Sequence, residues 1–222
     1  IMYSVEHPLS QLNTLEDLLT LPYFDFISCL GLFSMHPGGI NQTINLFEQS
    51  GCAEKEKILE IGCGNGLTTQ LLLESNFDVH IVEPCQYLLQ TTLNLSLKDC
   101  KKTPPFYFTN AENLDGVPKK YFDKVLMEAV FGFIENKPAA IKQIQSVLNY
   151  KEPLLCVNDF YYHEIPPKEV LNNFQSATQT QLELLTKDRW LSYLNEFKVC
   201  LWDDFEIPTI NSPNPIQVKQ IV

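Results

Sequence analysis

The stretch Ile58-Leu59-Glu60-Ile61-Gly62-Cys63-Gly64-Asn65-Gly66 decides the fold of this chain. Its first four residues predict a short buried strand, and three glycines follow at alternate positions. Leu67, Leu71 and Leu72 then predict a helix. Glycines between a strand and a helix let the backbone approach a ligand closely, and the crevice of an α/β sheet lies at its strand ends. The stretch therefore predicts a ligand site at the end of a strand.

Strands and helices alternate beyond this stretch. The further predicted strands lie at 79–83, 106–109, 123–127 and 154–157, with helices around 87–97 and 139–148. This alternation is typical of a parallel sheet covered by helices on both faces. Residues 199–207 and 215–222 predict two more strands, paired antiparallel. We therefore expect a doubly wound, mostly parallel, seven-stranded α/β sheet in a core of residues 51–222. Residues 1–50 are predicted to form a helical cap or lid within the same domain.

The glycine spacing argues against two common phosphate-binding loops. A dinucleotide site usually has Gly-x-Gly-x-x-Gly, and position 67, where that pattern needs its third glycine, is leucine. The Walker pattern also fails, because no Gly-Lys-Ser/Thr follows. A single glycine-rich turn can also be a plain strand–helix connection, so its neighbours have to identify the ligand.

Three acidic or polar positions point to a nucleoside that carries an amino group. Glu60, directly before the loop, suits an ammonium group and suits a phosphate badly. Glu83 ends the second strand, 21 residues after Gly62, where a carboxylate can accept both ribose hydroxyls. Asn110-Ala111-Glu112 follows the third strand, where a polar side chain can meet the adenine edge, although Asn is also common in turns and Glu at helix starts.

Four segments resemble, in order and spacing, successive motifs of the class I S-adenosylmethionine-dependent methyltransferases. They are residues 58–66, 82–84, 110–112 and 122–129. The resemblance implies this fold and S-adenosylmethionine as the cofactor. The implied cofactor contacts are Gly62, Cys63, Gly64 and Gly66 around the homocysteine part, Glu83 and Pro84 at the ribose, Asn110, Ala111 and Glu112 near adenine, and Glu128 and Ala129 beside the methionine moiety.

The turn Met35-His36-Pro37-Gly38-Gly39 resembles the His-Pro-Gly-Gly turn that precedes the core in many small-molecule members of that family. This resemblance implies that His36 contacts the cofactor or the substrate, and packing within the turn is the alternative. The aromatic residues 23, 24, 131 and 133 are more often core than pocket. An apolar amino-terminal segment over the crevice would nevertheless make a lid that excludes water.

The expected reaction is an in-line displacement in which the protein mainly aligns two reactants. An acceptor with a high pKa also needs a base. Glu128, Asp159 and His163 are the candidate catalytic residues by position, and the two acids can instead pair with an amine acceptor. A surface-loop role for His163 is the alternative.

Composition limits the partners and the compartment. The net charge is −11 and the sequence has no basic stripe, which disfavours nucleic acid. Seven scattered cysteines without a Cys-x-x-Cys pair predict neither a metal site nor disulfides, and indicate a reducing cytoplasm. We expect no membrane span or secretory signal, because the sequence shows neither a long apolar run nor a basic segment followed by an apolar one. Monomer and homodimer stay open.

Three functions remain from the sequence. The first is methyl transfer to a small-molecule acceptor, such as a metabolite or natural product. The second is a protein or peptide methyltransferase, in which an open acidic groove draws a basic peptide. The third is a catalytically inactive S-adenosylmethionine-binding partner protein.

Overall fold

Five parallel strands form one sheet in the computed structural model, which describes residues 10, 12–30, 35–98, 100 and 102–205. The strands are β1 (Lys57–Ile61), β2 (Asp78–Val82), β3 (Phe106–Tyr107), β4 (Lys124–Glu128) and β5 (Leu154–Asn158). The α-helices are α1 (Leu15–Leu19), α2 (Tyr23–Leu30), α3 (Gly39–Gln49), α4 (Leu67–Glu74), α5 (Gln86–Thr91), α6 (Lys137–Val147), α7 (Lys168–Thr178) and α8 (Lys187–Tyr193). A π-helical segment (Thr92–Ser96) continues α5, and a 3-10 turn (Phe131–Phe133) follows β4.

The strand order β3-β2-β1-β4-β5 places β1 in the middle of the sheet. Ile61, the last residue of β1, lies beside Val82 of β2 and Met127 of β4. The chain segments that leave these three strands therefore start side by side at one edge of the sheet. This register brings together the glycine loop, Glu83 and Glu128, which are far apart in sequence.

Both faces of the sheet are buried, which explains why the strands are nearly continuous apolar runs. Leu59 and Val125 face a core that also contains Ile144 of α6 and Trp190 of α8. On the opposite face, Ile58 and Leu126 pack with Phe47 of α3 and Leu72 of α4. The predicted parallel sheet with helices on both faces is thus confirmed.

The prediction of seven strands is wrong for the part of the chain that is described, which has five. Residues 199–205 form no strand there, and Val199, Leu201 and Phe205 are each about half exposed. Alternating apolar residues form a strand only where a partner edge covers one face, and these three side chains lack that cover. The predicted strand at 215–222 lies outside the described residues.

The amino-terminal helices meet the rest of the fold in two ways. Phe47 of α3 is buried in the sheet core, so α3 is one of the covering layers. Helix α2 contacts α5, and the Cys85 Sγ donates to Asp25 Oδ1 at 3.6 Å. A lid function for residues 1–50 stays a prediction. Among the helices described, none is long and apolar enough to cross a membrane.

Candidate functional site

The glycine loop is held open by left-handed backbone angles. Gly62, Gly64 and Gly66 have φ values of 80°, 53° and 84°, which other residues adopt at a cost. A Cβ on Gly62 would lie 2.4 Å from Val130 Cγ2, whereas a Cβ on Gly64 would meet nothing within 4 Å. Gly62 is thus needed for packing, and Gly64 keeps open the space in front of the loop.

Glu83 is fixed by backbone donors of the glycine loop and of its own turn. Its Oε1 accepts from the Cys85 N–H at 2.8 Å and its Oε2 from the Gly64 N–H at 3.3 Å. The side chain is buried, and this burial raises its pKa to about 7. A buried carboxylate held in this way has lone pairs left for further hydroxyl donors.

Cys63 belongs to the glycine loop, and its side chain is buried. Its Sγ is 3.5 Å from Thr92 Oγ1 and 3.9 Å from Glu83 Oε2. Burial, followed by the charges of Glu83 and Glu60, raises the pKa of this thiol. The Thr92 hydroxyl also donates to the Gly64 carbonyl at 2.8 Å, so the π-helical segment supports the loop from below.

Glu60 is a buried acid at the end of β1. Its Oε2 accepts from Thr69 Oγ1 at 2.5 Å, so the start of α4 holds the carboxylate in place. Burial raises its pKa to about 8, and the charges of Glu128 and Glu83 act in the same direction. A positive group beside Glu60 would relieve this cost, as the sequence argument for an ammonium partner expects.

Glu128, at the end of β4, accepts hydrogen bonds from side chains of α3, α4 and β5. Its Oε1 accepts from Thr43 Oγ1 of α3 at 2.8 Å and from Asn158 Nδ2 of β5 at 3.3 Å. Its Oε2 accepts from Thr68 Oγ1 of α4 at 2.8 Å. The side chain is 6% exposed, so these donors supply much of what water would otherwise provide.

His36 is brought to the same place by the predicted turn. Its Nδ1 lies 3.0 Å from Asn158 Nδ2 and 3.4 Å from Glu128 Oε1. Asn158 Nδ2 also donates to the Pro37 carbonyl at 3.0 Å, which anchors the turn to the end of β5. Gly38, at φ 69°, is the N-cap of α3, which begins at Gly39.

Asp159 supports the backbone between β4 and α6. Its Oδ2 accepts from the N–H groups of Val130 and Phe131 at 3.1 and 2.9 Å, and its Oδ1 from that of Phe160 at 2.7 Å. Burial raises its pKa to about 6, although these three hydrogen bonds act to lower it. The carboxylate therefore has a clear positioning role for the turn at 131–133.

The segment at residues 110–112 forms its own turn. Asn110 is exposed, and its Oδ1 accepts from the Asn113 N–H at 3.1 Å. Glu112 Oε1 accepts from the N–H groups of Glu135 and Asn136, which ties this turn to the start of α6. Ala111 is buried between them.

One cleft of about 1050 Å³ joins these groups. Its wall includes all the predicted cofactor contacts, which are His36, Glu60, Gly62, Cys63, Gly64, Gly66, Glu83, Pro84, Asn110, Ala111, Glu112, Glu128 and Ala129. Asp159 also lines it. His163 does not belong to the described wall; it is exposed, and its ring packs edge-on against Tyr161 at 5.0 Å.

Sequence reasoning missed the polar partners that hold the acids. Thr43, Thr68, Thr69 and Asn158 are buried and donate to Glu60 or Glu128. Asn158 had a usable signal, since it is a polar residue at the end of a predicted parallel strand. Thr43 had none, because only the tertiary packing of α3 brings it to β4.

A family described as a methyltransferase domain matches residues 39–197. The chain belongs to this family. It is an S-adenosylmethionine-dependent methyltransferase, as the four sequence segments predicted. The match begins at the first residue of α3 and includes every strand of the sheet.

Two bacterial relatives match this chain, and the second is described as a methyltransferase. An uncharacterized protein of Haemophilus influenzae is 28% identical over 177 residues, which cover 78% of this chain and 69% of the relative. The uncharacterized methyltransferase YodH of Bacillus subtilis is 24% identical over 147 residues, covering 66% of this chain and 62% of YodH. The chain thus spans less than two thirds of YodH.

Solved structures share the fold. Phosphoethanolamine N-methyltransferase 2 of Haemonchus contortus, solved with phosphomonomethylethanolamine and S-adenosylhomocysteine, superposes with a TM-score of 0.67 and 18% identity. The match covers 84% of this chain and 44% of the Haemonchus chain. At this identity the likeness shows the fold alone.

The residues of the methyltransferase cleft fit the cofactor chemically. S-adenosylmethionine carries a sulfonium, an ammonium group and two ribose hydroxyls, and the cleft offers Glu60 and Glu83 as acceptors. The open space in front of Gly64 lets a ligand approach the backbone. The donor set and the shape of the loop therefore agree with the family's cofactor.

Proposed function

We propose that this methyltransferase acts on a small-molecule acceptor that lies in the cleft between the glycine loop and helix α2. The carrying observation is that one continuous cleft includes both the cofactor residues and apolar side chains of α2. Pockets for small ligands usually measure about 300–1,000 Å³. At about 1050 Å³, this cleft has room for a second ligand beside the cofactor.

In this proposal, α2 is the lid over the acceptor. Tyr23 and Phe24 of α2 and Phe133 of the 3-10 turn line the cleft and pack on one another with ring centroids 5.3 to 6.1 Å apart. Such a wall keeps water from the reacting groups and favours a compact organic acceptor. A compact aromatic wall of this kind also suits a small acceptor better than an extended peptide.

The protein contributes mainly alignment. Bound S-adenosylmethionine supplies an activated methyl group on sulfur. In this proposal Glu60 binds its ammonium group, Glu83 binds its ribose hydroxyls, and the turn at 110–112 contacts its adenine. Positioning of this kind contributes roughly 7–11 kcal/mol in favourable cases. Glu128 and His36 lie at the end of β4, beside the loop, where they can orient the acceptor.

Asp159 and Glu128 enter this proposal as positioning residues and charge partners. Both carboxylates already accept several protein hydrogen bonds. A general base for an acceptor of high pKa would have to come from this wall, since His163 does not line it.

The test identifies the molecules that receive a labelled methyl group from S-adenosylmethionine. The full chain is incubated with methyl-labelled S-adenosylmethionine and either a metabolite extract or a protein fraction of the same cells. We expect label in dialysable products and formation of S-adenosylhomocysteine. Gly62→Arg, which fills the loop, is the control that removes both. Label retained on protein or peptide instead would overturn the small-molecule assignment.

A further inference from the structure

The acceptor end of the cleft has a distinctive charge. Beyond Glu60, Glu83 and Glu112 at the cofactor end, five more acids line the described wall. They are Asp25, Glu128, Glu135, Asp159 and Glu183. Against these eight carboxyl groups the described wall has one basic side chain, His36. An anionic ligand would meet repulsion there, whereas a cationic one is complementary.

Protein cations neutralise only part of this wall. Glu183 pairs with Lys137 Nζ at 3.0 Å and with Arg189 Nε at 2.9 Å, and both bases approach it from outside the cleft. Within the described ranges, no lysine or arginine lies within 4.0 Å of the other seven carboxylates. Of the residues outside those ranges, only Lys101 and Lys219 are lysine or arginine.

The excess negative charge already affects a neighbour. Cys85 lines the cleft, and its pKa is raised to about 12 by burial, with the charges of Glu83 and Asp25 adding to the effect. A thiolate is thus disfavoured at this place for the same reason that a cation is favoured. The cofactor brings a net charge of only about one positive unit at neutral pH. Apart from Glu60 and Glu83, whose raised pKa values reduce their own charge, and Glu183, which is paired, the wall keeps Asp25, Glu128, Glu135 and Asp159 without a described lysine or arginine within 4.0 Å.

An independent feature of the same region is its aromatic cluster. The first turn of α2 places Tyr23, Phe24 and Asp25 in succession, and Phe133 packs on both rings. Phe24 remains 38% exposed, so part of its ring area is available to a ligand. Aromatic faces beside a carboxylate are the usual site for an organic ammonium group.

Resting on the proposed function, we propose that the acceptor is an amine without phosphate or carboxylate groups, whose nitrogen-bearing part binds beside Tyr23, Phe24, Asp25 and Phe133. The observations on which this depends are the charge of the whole wall and the ring cluster that lines the same cleft as Asp25. The reaction is then an N-methylation.

The transfer step balances without another reactant. An amine that enters as an ammonium ion first releases its proton to a carboxylate of the cleft wall, which passes it on to solvent. Its nitrogen lone pair then forms the new N–C bond while the S–C bond breaks, and the electron pair of that bond stays on sulfur. The products are a methylammonium ion and S-adenosylhomocysteine. The positive charge ends on nitrogen, where the acidic wall stabilises it.

The test uses binding probes of matched size, because the natural acceptor is not identified. The full chain is first saturated with S-adenosylhomocysteine, and titration calorimetry then measures benzyltrimethylammonium, benzyl alcohol and phenylacetate. We expect the cation to bind at least about ten-fold more tightly than the alcohol. We expect no detectable binding of the anion.

Substitutions in the cleft then test where the cationic probe binds. Asp25→Asn and Phe133→Leu should each weaken the binding of the cation by roughly three- to thirty-fold, with little change in the affinity for the alcohol. Asp115→Asn, which removes an exposed acid outside the cleft, is the matched control and should change neither. Thermal unfolding of each variant checks that the fold is retained.

Three results would overturn the amine assignment. They are phenylacetate binding as tightly as the cation, absence of cation binding, and cation binding that both cleft variants leave unchanged. Failure of the proposed function is seen separately, because it appears in the methyl-labelling experiment as label retained on protein or peptide. In that case the same probes still measure the preference of the cleft.

Discussion

Thr43 Oγ1 donates a hydrogen bond of 2.8 Å to Glu128 Oε1, across 85 residues of sequence. Thr43 lies in α3, which follows the His36 turn, and Glu128 ends the strand beside the glycine loop. Both side chains are inaccessible or nearly so. This single contact links the amino-terminal part of the chain to the edge of the sheet where the predicted cofactor residues converge.

Removing that donor should cost stability and activity together. Thr43→Val keeps the shape but leaves a buried carboxylate with one fewer hydrogen bond, which costs about 1–3 kcal/mol. Urea unfolding measures the loss. Thr20→Val, which removes an exposed hydroxyl, is the control and should stay within about 0.5 kcal/mol of the parent. Equal stabilities of the two variants would show that the Thr43–Glu128 contact contributes little.

The two loop glycines should respond differently to a single methyl group. Gly62→Ala combines a left-handed φ of 80° with a Cβ 2.4 Å from Val130 Cγ2, so we expect about 2–4 kcal/mol of destabilisation. Gly64→Ala meets no atom, and its strain costs only about 1–2 kcal/mol. Its methyl group projects into the ligand space, so its main effect should be on cofactor affinity.

Denaturant unfolding and calorimetry together separate these effects. The double variant Gly62→Ala with Val130→Ala should recover part of the lost stability, because it removes the atom that clashes. A Gly64→Ala protein that binds S-adenosylhomocysteine as tightly as the parent would show that the cofactor does not approach this part of the loop.

Glu60 should make the ligand-free protein less stable as the pH rises. Its pKa is about 8 in the fold and 4.5 in its absence, so the folded state holds an extra proton between these values. The contribution of this proton to the free energy of unfolding is complete below pH 4.5 and is lost as the pH rises through about 8. Glu60→Gln should remove this slope and be more stable than the parent at pH 8 by up to a few kcal/mol. A variant with an unchanged slope would contradict the assignment.

Cofactor binding should release protons over the same range. Glu60 and Glu83, with pKa values of about 8 and about 7, must ionise to bind an ammonium group and to serve as full acceptors. The affinity for S-adenosylmethionine should therefore rise from pH 6 to pH 8. Calorimetry in two buffers of different ionisation enthalpy counts the protons released. Glu60→Gln should reduce that number, and Asp115→Asn should not.

Asp159 and His163 provide a paired test of the predicted catalytic residues. Asp159→Asn replaces one of the two acceptor oxygens by an NH2 group, so one or two of the three backbone N–H groups lose their acceptor, and we expect about 1–3 kcal/mol of destabilisation and slower turnover. His163→Ala changes an exposed residue outside the described cleft wall and should leave turnover within about two-fold. A large loss in His163→Ala with Asp159→Asn unaffected would reverse these roles.

The sequence predicted the parts of this fold that depend on local pattern. The buried strand at 58–61, the glycine spacing and the acid after β2 specify the loop and its neighbours, because parallel register then fixes where Glu83 must lie. That residues 199–205 form no strand could not be predicted from their sequence, since alternation does not reveal whether a partner edge is present. The donors to Glu128 were missed for the same reason, as Thr43 is polar on a helix that only tertiary packing buries.

The central claim is that the glycine loop and Glu83 together bind S-adenosylmethionine. Titration calorimetry with S-adenosylhomocysteine on the parent chain, Gly62→Arg and Glu83→Ala tests it most directly. We predict a single site in the parent and no detectable binding in Gly62→Arg. Glu83→Ala should bind at least about ten-fold more weakly, because it loses the two carboxylate oxygens that accept hydrogen bonds from the ribose hydroxyls. Undiminished affinity in both folded variants would contradict the account.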